Sequence, residues 1–278
     1  MRSVLVTGGT GFFARGFVRR ALELGAERVC ILSRGEYAQA QMRQEFGDDQ
    51  RLRFLIGDVR DEERLRMAMQ GVDSVVHAAA LKRIEVAHYN VMEAVATNVV
   101  GTRNVVQAAI ASGVRRAVLL STDKACNPTT TYGKTKATAE DIFRGAQHYA
   151  GASGPCFTVC RYGNVAGSTG SVIPTWRAQR GRTVNVTDPE ATRFYMTLAE
   201  AVDLVVYALQ HGKQGDLILP KDLPAYRVGD LAVAMDMDFR VVGLAPNEKL
   251  AEEMCPGVTS DRARKMTVEE LREALKAI

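Results

Sequence analysis

The chain has 278 residues, 46% hydrophobic and 24% charged, the balance of a globular protein with one large core and room for a smaller appendage. Its 36 basic and 32 acidic residues leave only +4, too mild and dispersed for a nucleic-acid surface but sufficient for a pocket that takes an anionic small molecule. No apolar run approaches the roughly 18 to 20 residues of a membrane span, and MRSVLVTGGTG has no signal-peptide pattern, so a cytoplasmic protein without membrane or nucleic-acid partners is expected.

The first strand, SVLVTG, runs into TGGTGFFARGF, where Gly8 and Gly11 stand three apart at a strand-to-helix turn. Glycines there allow the tight turn and let the backbone approach a pyrophosphate held at a helix N-terminus. Thr7, Gly8, Gly11, Phe12 and Phe13 are therefore candidate cofactor contacts, and Ala14 fills the place of a third glycine where helix packs on sheet. The second strand, RVCILS, ends at Ser33 and Arg34, where an NAD site would place an acid against the ribose 2′-hydroxyl. A hydroxyl and a guanidinium suit a 2′-phosphate instead, so NADP is expected.

The third strand, RLRFLIGDV, delivers Asp58 and Val59 to the adenine end, and the fourth, SVVHAAA, ends in Ala78, Ala79 and Ala80, small enough for close approach of the cofactor. His77 orders that turn and moves no proton. A long helix through AVATNVVGTRNVVQAAIASG carries Asn98, a further cofactor candidate. The fifth strand, RAVLLS, ends in Thr122, Asp123 and Lys124, and the following helix carries Tyr132 and Lys136, which share one face at a spacing of four. CFTVCRYG is the sixth strand. Cys156 and Cys160 lie too far apart along it to pair, and with Cys30, Cys126 and Cys255 the count is odd, so all five are expected as thiols.

Short buried strands alternating with helices of this length predict an α/β, Rossmann-type doubly wound parallel sheet. Residues 1–165 form the expected NADP-binding domain. Residues 166–278 form mainly a substrate-binding region, with a helix and strand at about 198–220 returning to the large sheet. LAEAVDLVVYALQHG, VGDLAVAMD and TVEELREALKAI read as helices there, and GNVAGSTGSVIP and NVTDPEATRF are rich in Gly, Ser, Pro and Thr.

Together the Gly turn, HAAALK, TNVVGTRNVV, Tyr-x-x-x-Lys and RYGNV resemble the extended short-chain dehydrogenase/reductases. More narrowly, GDVRD, AAALK, STDKACNP, RYGNVAGSTGSVIP and TDPEATRF resemble the UDP-N-acetylglucosamine 4,6-dehydratases, nearest to the soluble C5-inverting type of pseudaminic acid biosynthesis. GLAPNEK departs from that family's RPGEK, with Ala245 and Asn247 in place of Arg and Gly, and the Gly loop departs at Phe12 and Ala14.

The resemblance implies a lyase with tightly held NADP. Tyr132, its phenol lowered by a nearby ammonium and the nicotinamide, takes the proton from O4 as hydride leaves C4, with Thr122 bonding that oxygen and Lys136 holding the ribose. The C4 ketone acidifies C5–H. Lys124, deprotonated by burial and cationic neighbours, is the expected base, and protonated Asp123 the acid that releases the C6 hydroxyl as water. Lysine in the base position, where retaining sugar dehydratases have Glu, implies C5 inversion.

Candidate substrate residues are Lys82, Asn164, Ser171, Val172 and Arg193 as a phosphate clamp, with Glu248 and Lys249 weaker because their motif is degraded. No metal is expected, and a homo-oligomer built through the helices around Asn98 and Tyr132 is. A UDP-sugar epimerase would use the same Tyr–Lys pair without loss of water. A redox-sensing NADP-binding regulator is the remaining reading, and the pair together with Thr122 argues against it.

Overall fold

All five side chains of β1 (Ser3–Thr7) are buried, because a parallel strand at the centre of a sheet has helices on both faces and no solvent side. The computed structural model describes residues 1–151 and 153–278. In it β1 is followed by α1 (Phe12–Glu23), β2 (Arg28–Ser33), α2 (Glu36–Glu45), β3 (Leu52–Ile56), α3 (Glu62–Ala68) and β4 (Ser74–His77). The chain continues through α4 (Ile84–Tyr89), α5 (Val91–Ala94), a π-helical stretch Val95–Val100, α6 (Gly101–Ala111), β5 (Arg116–Thr122) and a single 3-10 turn Asp123–Ala125. Next come α7 (Thr131–Gly145), α8 (Gln147–Ala150) and β6 (Cys156–Tyr162).

The remainder is more broken: β7 (Asn164–Val165), α9 (Val172–Arg177), β8 (Val184–Val186), β9 (Thr192–Met196), α10 (Leu198–His211), β10 (Leu217–Ile218), β11 (Ala225–Arg227), α11 (Val228–Ala234), β12 (Phe239–Val241), β13 (Glu253–Cys255), β14 (Val258–Thr259) and α12 (Val268–Lys276). NVTDPEATRF is thus not simply a loop. Its ends fall in β8 and β9, which pair with β12 and with β7 and β11. Partners from distant segments, which local composition does not reveal, make those strands.

Seven strands form one parallel sheet in the order β10-β6-β5-β4-β1-β2-β3. This is the doubly wound arrangement. Strand order reverses between β1 and β4, so a crevice opens at their carboxyl ends. On one face α1 and α10 pack through Phe17, Val18 and Val205; on the other α3, α6 and α7 pack through Leu65, Val105 and Phe143. Each such side chain contributes roughly 1.5–3 kcal/mol by leaving water. Helix α10 starts at a full capping box between Thr197 and Glu200, and β10 adds a seventh strand beside β6. A third cluster around Trp176, Tyr195 and Leu231 holds the C-terminal elements together.

Among the described residues no helix is long and apolar enough to cross a membrane. All five cysteines are free.

Candidate active site

At Gly8 the backbone turns with φ +63, and a Cβ there would lie 2.8 Å from the Cα of Ala79. Only glycine supplies both that dihedral and that approach. The β1–α1 turn therefore sits directly on the small residues after β4, opening a cleft of about 490 Å³ lined by Gly8, Gly11, Ser33, Arg34, Asp58 and Ala80, among others. Val59 and Thr97 also face it.

His77 fixes this turn. Thr102 Oγ1 donates to the Asn98 carbonyl at 2.6 Å, which leaves it to accept from His77 Nε2 at 3.1 Å, so His77 Nδ1 accepts from Thr7 Oγ1 at 2.7 Å. Burial, with the Lys136 charge, pushes His77 down to about 3, a neutral structural ring. Thr7 thus serves His77, also accepting from the Ala79 amide at 3.3 Å.

Asn98 is likewise held by groups of the protein. It is 1% exposed, and its amide is consumed by Leu81 N (2.8 Å), Leu81 O (3.1 Å) and Thr135 Oγ1 (3.0 Å). The π-helical turn aims it at the loop after β4, and Thr97 takes the cleft-facing position. Phe13 stacks on Phe17 and Tyr162 at 6.0 and 6.4 Å and is part of the core packing. Phe12 points instead toward Gly167.

At the far end of the cleft, Ser33 Oγ accepts from Gln39 at 3.0 Å, and Arg34 lies largely exposed with its guanidinium 3.8 Å from Asp58. Burial works against the Asp58 charge, but hydrogen bonds from Arg60 hold its carboxyl below the usual range.

The catalytic candidates converge where β5 ends. Thr122 Oγ1 donates to Asp123 Oδ1 at 2.9 Å and caps the 3-10 turn, so Asp123 and Lys124 leave the strand in fixed directions. Helix α7 begins at Thr130, whose hydroxyl accepts from Gly133 N at 3.1 Å. Gly133 packs so closely on the Lys124 carbonyl that any side chain would collide, which brings Tyr132 against the turn. Lys124 Nζ donates to Asp123 Oδ1 (3.1 Å) and to Asn164 Oδ1 (3.2 Å), and lies 3.1 Å from Glu252 Oε1.

Two protonation expectations are revised. The neighbours of Lys124 are carboxylates, not cations: burial opposes its charge, but Asp123 and Glu252 outweigh burial and Arg193, and the amine is held above its ordinary range. Tyr132 is pushed up to about 12 by burial, and the cation that opposes this is Lys124, not Lys136. Lys136, 3% exposed, is itself pushed down to about 8 by burial, with Glu140 one turn on pulling the other way. Asp123, fully buried, is raised as expected for an acid, by burial first and then by Glu252, while Lys124 pulls it down.

Arg193 is engaged by groups of the protein. Its fork is spent on Glu248 (2.9 Å), the Thr192 carbonyl (2.8 Å) and the Leu250 carbonyl (3.3 Å), while Glu248 also accepts from Thr187 at 2.9 Å. Lys249 donates to the Cys126 carbonyl at 2.7 Å. These residues fasten the APNEK segment to the site's rim. Lys82 is exposed, and Ser171 and Val172 start α9, with the Ser171 hydroxyl unpartnered. Sequence reasoning missed Glu252, Glu140 and Arg161. The local sign of the first was only an acidic residue in an otherwise ordinary LAEEM.

The family described as polysaccharide biosynthesis protein matches residues 4–273. The chain is 40% identical over 259 residues to a UDP-N-acetylglucosamine 4,6-dehydratase (inverting) of Campylobacter jejuni subsp. jejuni serotype O:23/36 (strain 81-176), covering 91% of this chain and 77% of that one. It is 38% identical over 265 residues to a UDP-glucose 4-epimerase of Rickettsia rickettsii (strain Sheila Smith), again covering 91% and 77%. Among solved structures, Pen from Bacillus thuringiensis matches with a TM-score of 0.94 at 35% identity, over 99% of this chain and 97% of that one. DesIV, a dTDP-glucose 4,6-dehydratase from Streptomyces venezuelae with NAD and TYD bound, shares the fold at a TM-score of 0.83 and 22% identity, over 98% and 95%. The parallel sheet agrees with these matches, and the chain belongs to the polysaccharide biosynthesis protein family, with the fold of the extended short-chain dehydrogenase/reductases.

Proposed function

We propose that this protein dehydrates a UDP-sugar, UDP-N-acetylglucosamine, to its 4-keto-6-deoxy product with inversion at C5. The observation that carries the reading is the meeting of Thr122, Asp123, Lys124 and Tyr132 at one strand end, with Asn164 brought in from β7. An ordinary dehydrogenase needs no carboxyl–amine pair beside its tyrosine. The 40% identical inverting dehydratase supports the same conclusion.

The cleft fits a dinucleotide, since Gly8 leaves room for one only by lacking a Cβ and Gly11 opens α1. Gly8 and Gly11 would hold the pyrophosphate, Asp58 and Val59 the adenine side, and Ala79 and Ala80 the middle; Ala78 would lie beside them, and Lys136 would hold the nicotinamide ribose. Ser33 and Arg34 support NADP over NAD, because they offer a hydroxyl and a cation where a 2′-phosphate would sit. An oxidised nicotinamide bound there would supply a reversible hydride acceptor for the sugar and, by its ring charge, would favour the Tyr132 phenolate.

Tyr132 takes the O4 proton while Thr122 orients that oxygen. Lys124 removes the C5 proton, and Asp123, kept protonated by burial, delivers its proton to the departing C6 hydroxyl. Asn164, with Ser171 and Val172 at the start of α9, would face the sugar diphosphate, and Lys82 would line the site. In this reading 1–165 serve the cofactor and 166–278 mainly the substrate. Self-association is part of it, supported by Tyr89 and Met92, 88% and 77% exposed beside the helices expected at the interface. The protein works in the cytoplasm and could serve pseudaminic acid biosynthesis.

Mass spectrometry of UDP-N-acetylglucosamine after incubation with the enzyme tests the reading. Loss of one water supports it. An isomer of unchanged mass would favour the epimerase that the 38% identical Rickettsia relative suggests.

A further inference from the structure

An ammonium has three N–H donors, and the Lys124 ammonium has three acceptors: Asp123 Oδ1, Asn164 Oδ1 and Glu252 Oε1, at 3.1, 3.2 and 3.1 Å. In this arrangement no lone pair faces a substrate. Resting on the dehydratase reading, Lys124 must release a proton before it can accept one from C5. Asp123 is already assigned the proton that leaves with the C6 hydroxyl, and Asn164 is an amide that takes none at ordinary pH. Glu252 remains.

Its position is built. The side chain is 6% exposed, the backbone N–H donates to Ser260 Oγ at 2.9 Å, and the carbonyl accepts from Ser260 N at 2.8 Å. Ser260 is in turn held by the Thr192 hydroxyl at 2.7 Å and donates to the Thr192 carbonyl at 3.0 Å. The second carboxylate oxygen, Oε2, is buried with no partner. A buried carboxylate oxygen left bare is costly unless it has a use.

We propose that Glu252 is the positioning residue of Lys124, fixing its amine and accepting the proton that it sheds. In the step, one N–H bond of the Lys124 ammonium breaks and one O–H bond forms on Glu252, giving a neutral amine and a neutral acid. The freed lone pair then takes the C5 proton. Charged or titratable groups facing Lys124 are Asp123, Glu252, Arg193, Tyr132 and Tyr226; those facing Glu252 are Lys124, Arg193, Lys249 and Asp123. Burial opposes the Glu252 charge while Lys124 and Arg193 hold its carboxyl below the usual range, so in the resting site it is the anion that pairs with the Lys124 ammonium.

The test compares wild type with Glu252→Gln in the full chain loaded with its cofactor. Reduced-nicotinamide absorbance reports C4 oxidation, and deuterium entry at C5 reports the base. In wild type, C5 exchange is expected to vary little between about pH 7 and 9, because the proton moves internally. In Glu252→Gln, C4 oxidation persists, reduced cofactor accumulates, and C5 exchange falls at least tenfold and climbs with pH, since solvent must now deprotonate Lys124. Glu252→Asp is expected to restore part of the rate. Exchange at the wild-type rate with the wild-type pH profile overturns the proposal, as does equal loss of both readouts in a variant that still binds cofactor. Should Glu252→Gln not fold, Ser260→Ala removes the hydroxyl that holds the Glu252 backbone, loosening the carboxylate without removing its charge, and is expected to give a milder form of the same split; its absence overturns the proposal. A wild-type enzyme that loses no water overturns the dehydratase reading itself, and with it this one.

Discussion

Glu140 stands one helical turn beyond Lys136 on α7 and accepts from Arg161 Nε of β6 at 2.9 Å, inside a region where both side chains are buried. Ser121 of β5 donates to the same carboxylate, and Arg161 reaches on to the Met254 carbonyl at 2.8 Å. One ion pair therefore ties together the strand that ends in Thr122, the helix that carries Tyr132 and the segment that carries Glu252. Removing one partner leaves the other charged in the interior. Arg161→Met and Glu140→Ala are each expected to destabilise the fold by about 3–5 kcal/mol. Urea unfolding of the variants checks this, and a loss below about 1 kcal/mol, the size of an exposed pair, contradicts it.

His77 makes stability depend on acid. Its folded pKa of about 3 lies below the unfolded value of 6.5, so between those values the unfolded chain binds the extra proton and stability falls as pH falls. From pH 7 to 5 this one ring is expected to remove about 2 kcal/mol. Unfolding midpoints of wild type and His77→Asn at the two pH values measure it. The variant is expected to be less stable at neutral pH but flatter in its acid response.

Gly8→Ala places a methyl group against Ala79 at a positive φ. The strain is about 1–2 kcal/mol, and the cradle widens. Dinucleotide affinity, followed by fluorescence titration, is expected to fall by an order of magnitude or more, while the distant C-terminal cluster around Trp176 stays intact. Unchanged affinity would place the cofactor elsewhere.

Arg34→Ala distinguishes the two dinucleotides. A hydrogen bond to a charged group contributes about 1.5–3 kcal/mol, so affinity for the 2′-phosphorylated cofactor is expected to drop tenfold or more while that for NAD barely moves. Equal losses for both would remove the basis for preferring NADP.

Tyr132→Phe deletes only the phenolic oxygen. The kcat is expected to fall by about 10²–10⁴, with little change in KM and no loss of stability, because a buried hydroxyl is exchanged for a hydrogen. Comparable turnover would exclude Tyr132 as the O4 base.

What the sequence made legible was local. The strand–glycine–helix turn at Gly8, the alternation of β1 to β6 and the Thr122–Lys136 stretch are short patterns whose meaning does not depend on distant partners. Asn98 reads from the sequence as a cofactor candidate, and the π-helical turn that aims it at Leu81 has no readable signal. Arg193 and Glu248 each read as ligand groups alone, and only the fold shows that they bind each other. Glu252 was invisible for the same reason. Its partner Lys124 lies across the site in another segment, and the anionic surroundings that keep Lys124 charged exist only once that segment has folded over.

The most direct measurement is proton NMR of the sugar nucleotide formed from UDP-N-acetylglucosamine in deuterated water with no added reductant. Loss of the C6 hydroxyl, deuterium at C5 and coupling constants of the inverted C5 centre are the expected result. A product that retains the C6 hydroxyl and carries no deuterium at C5 would contradict the dehydratase mechanism centred on Asp123 and Lys124.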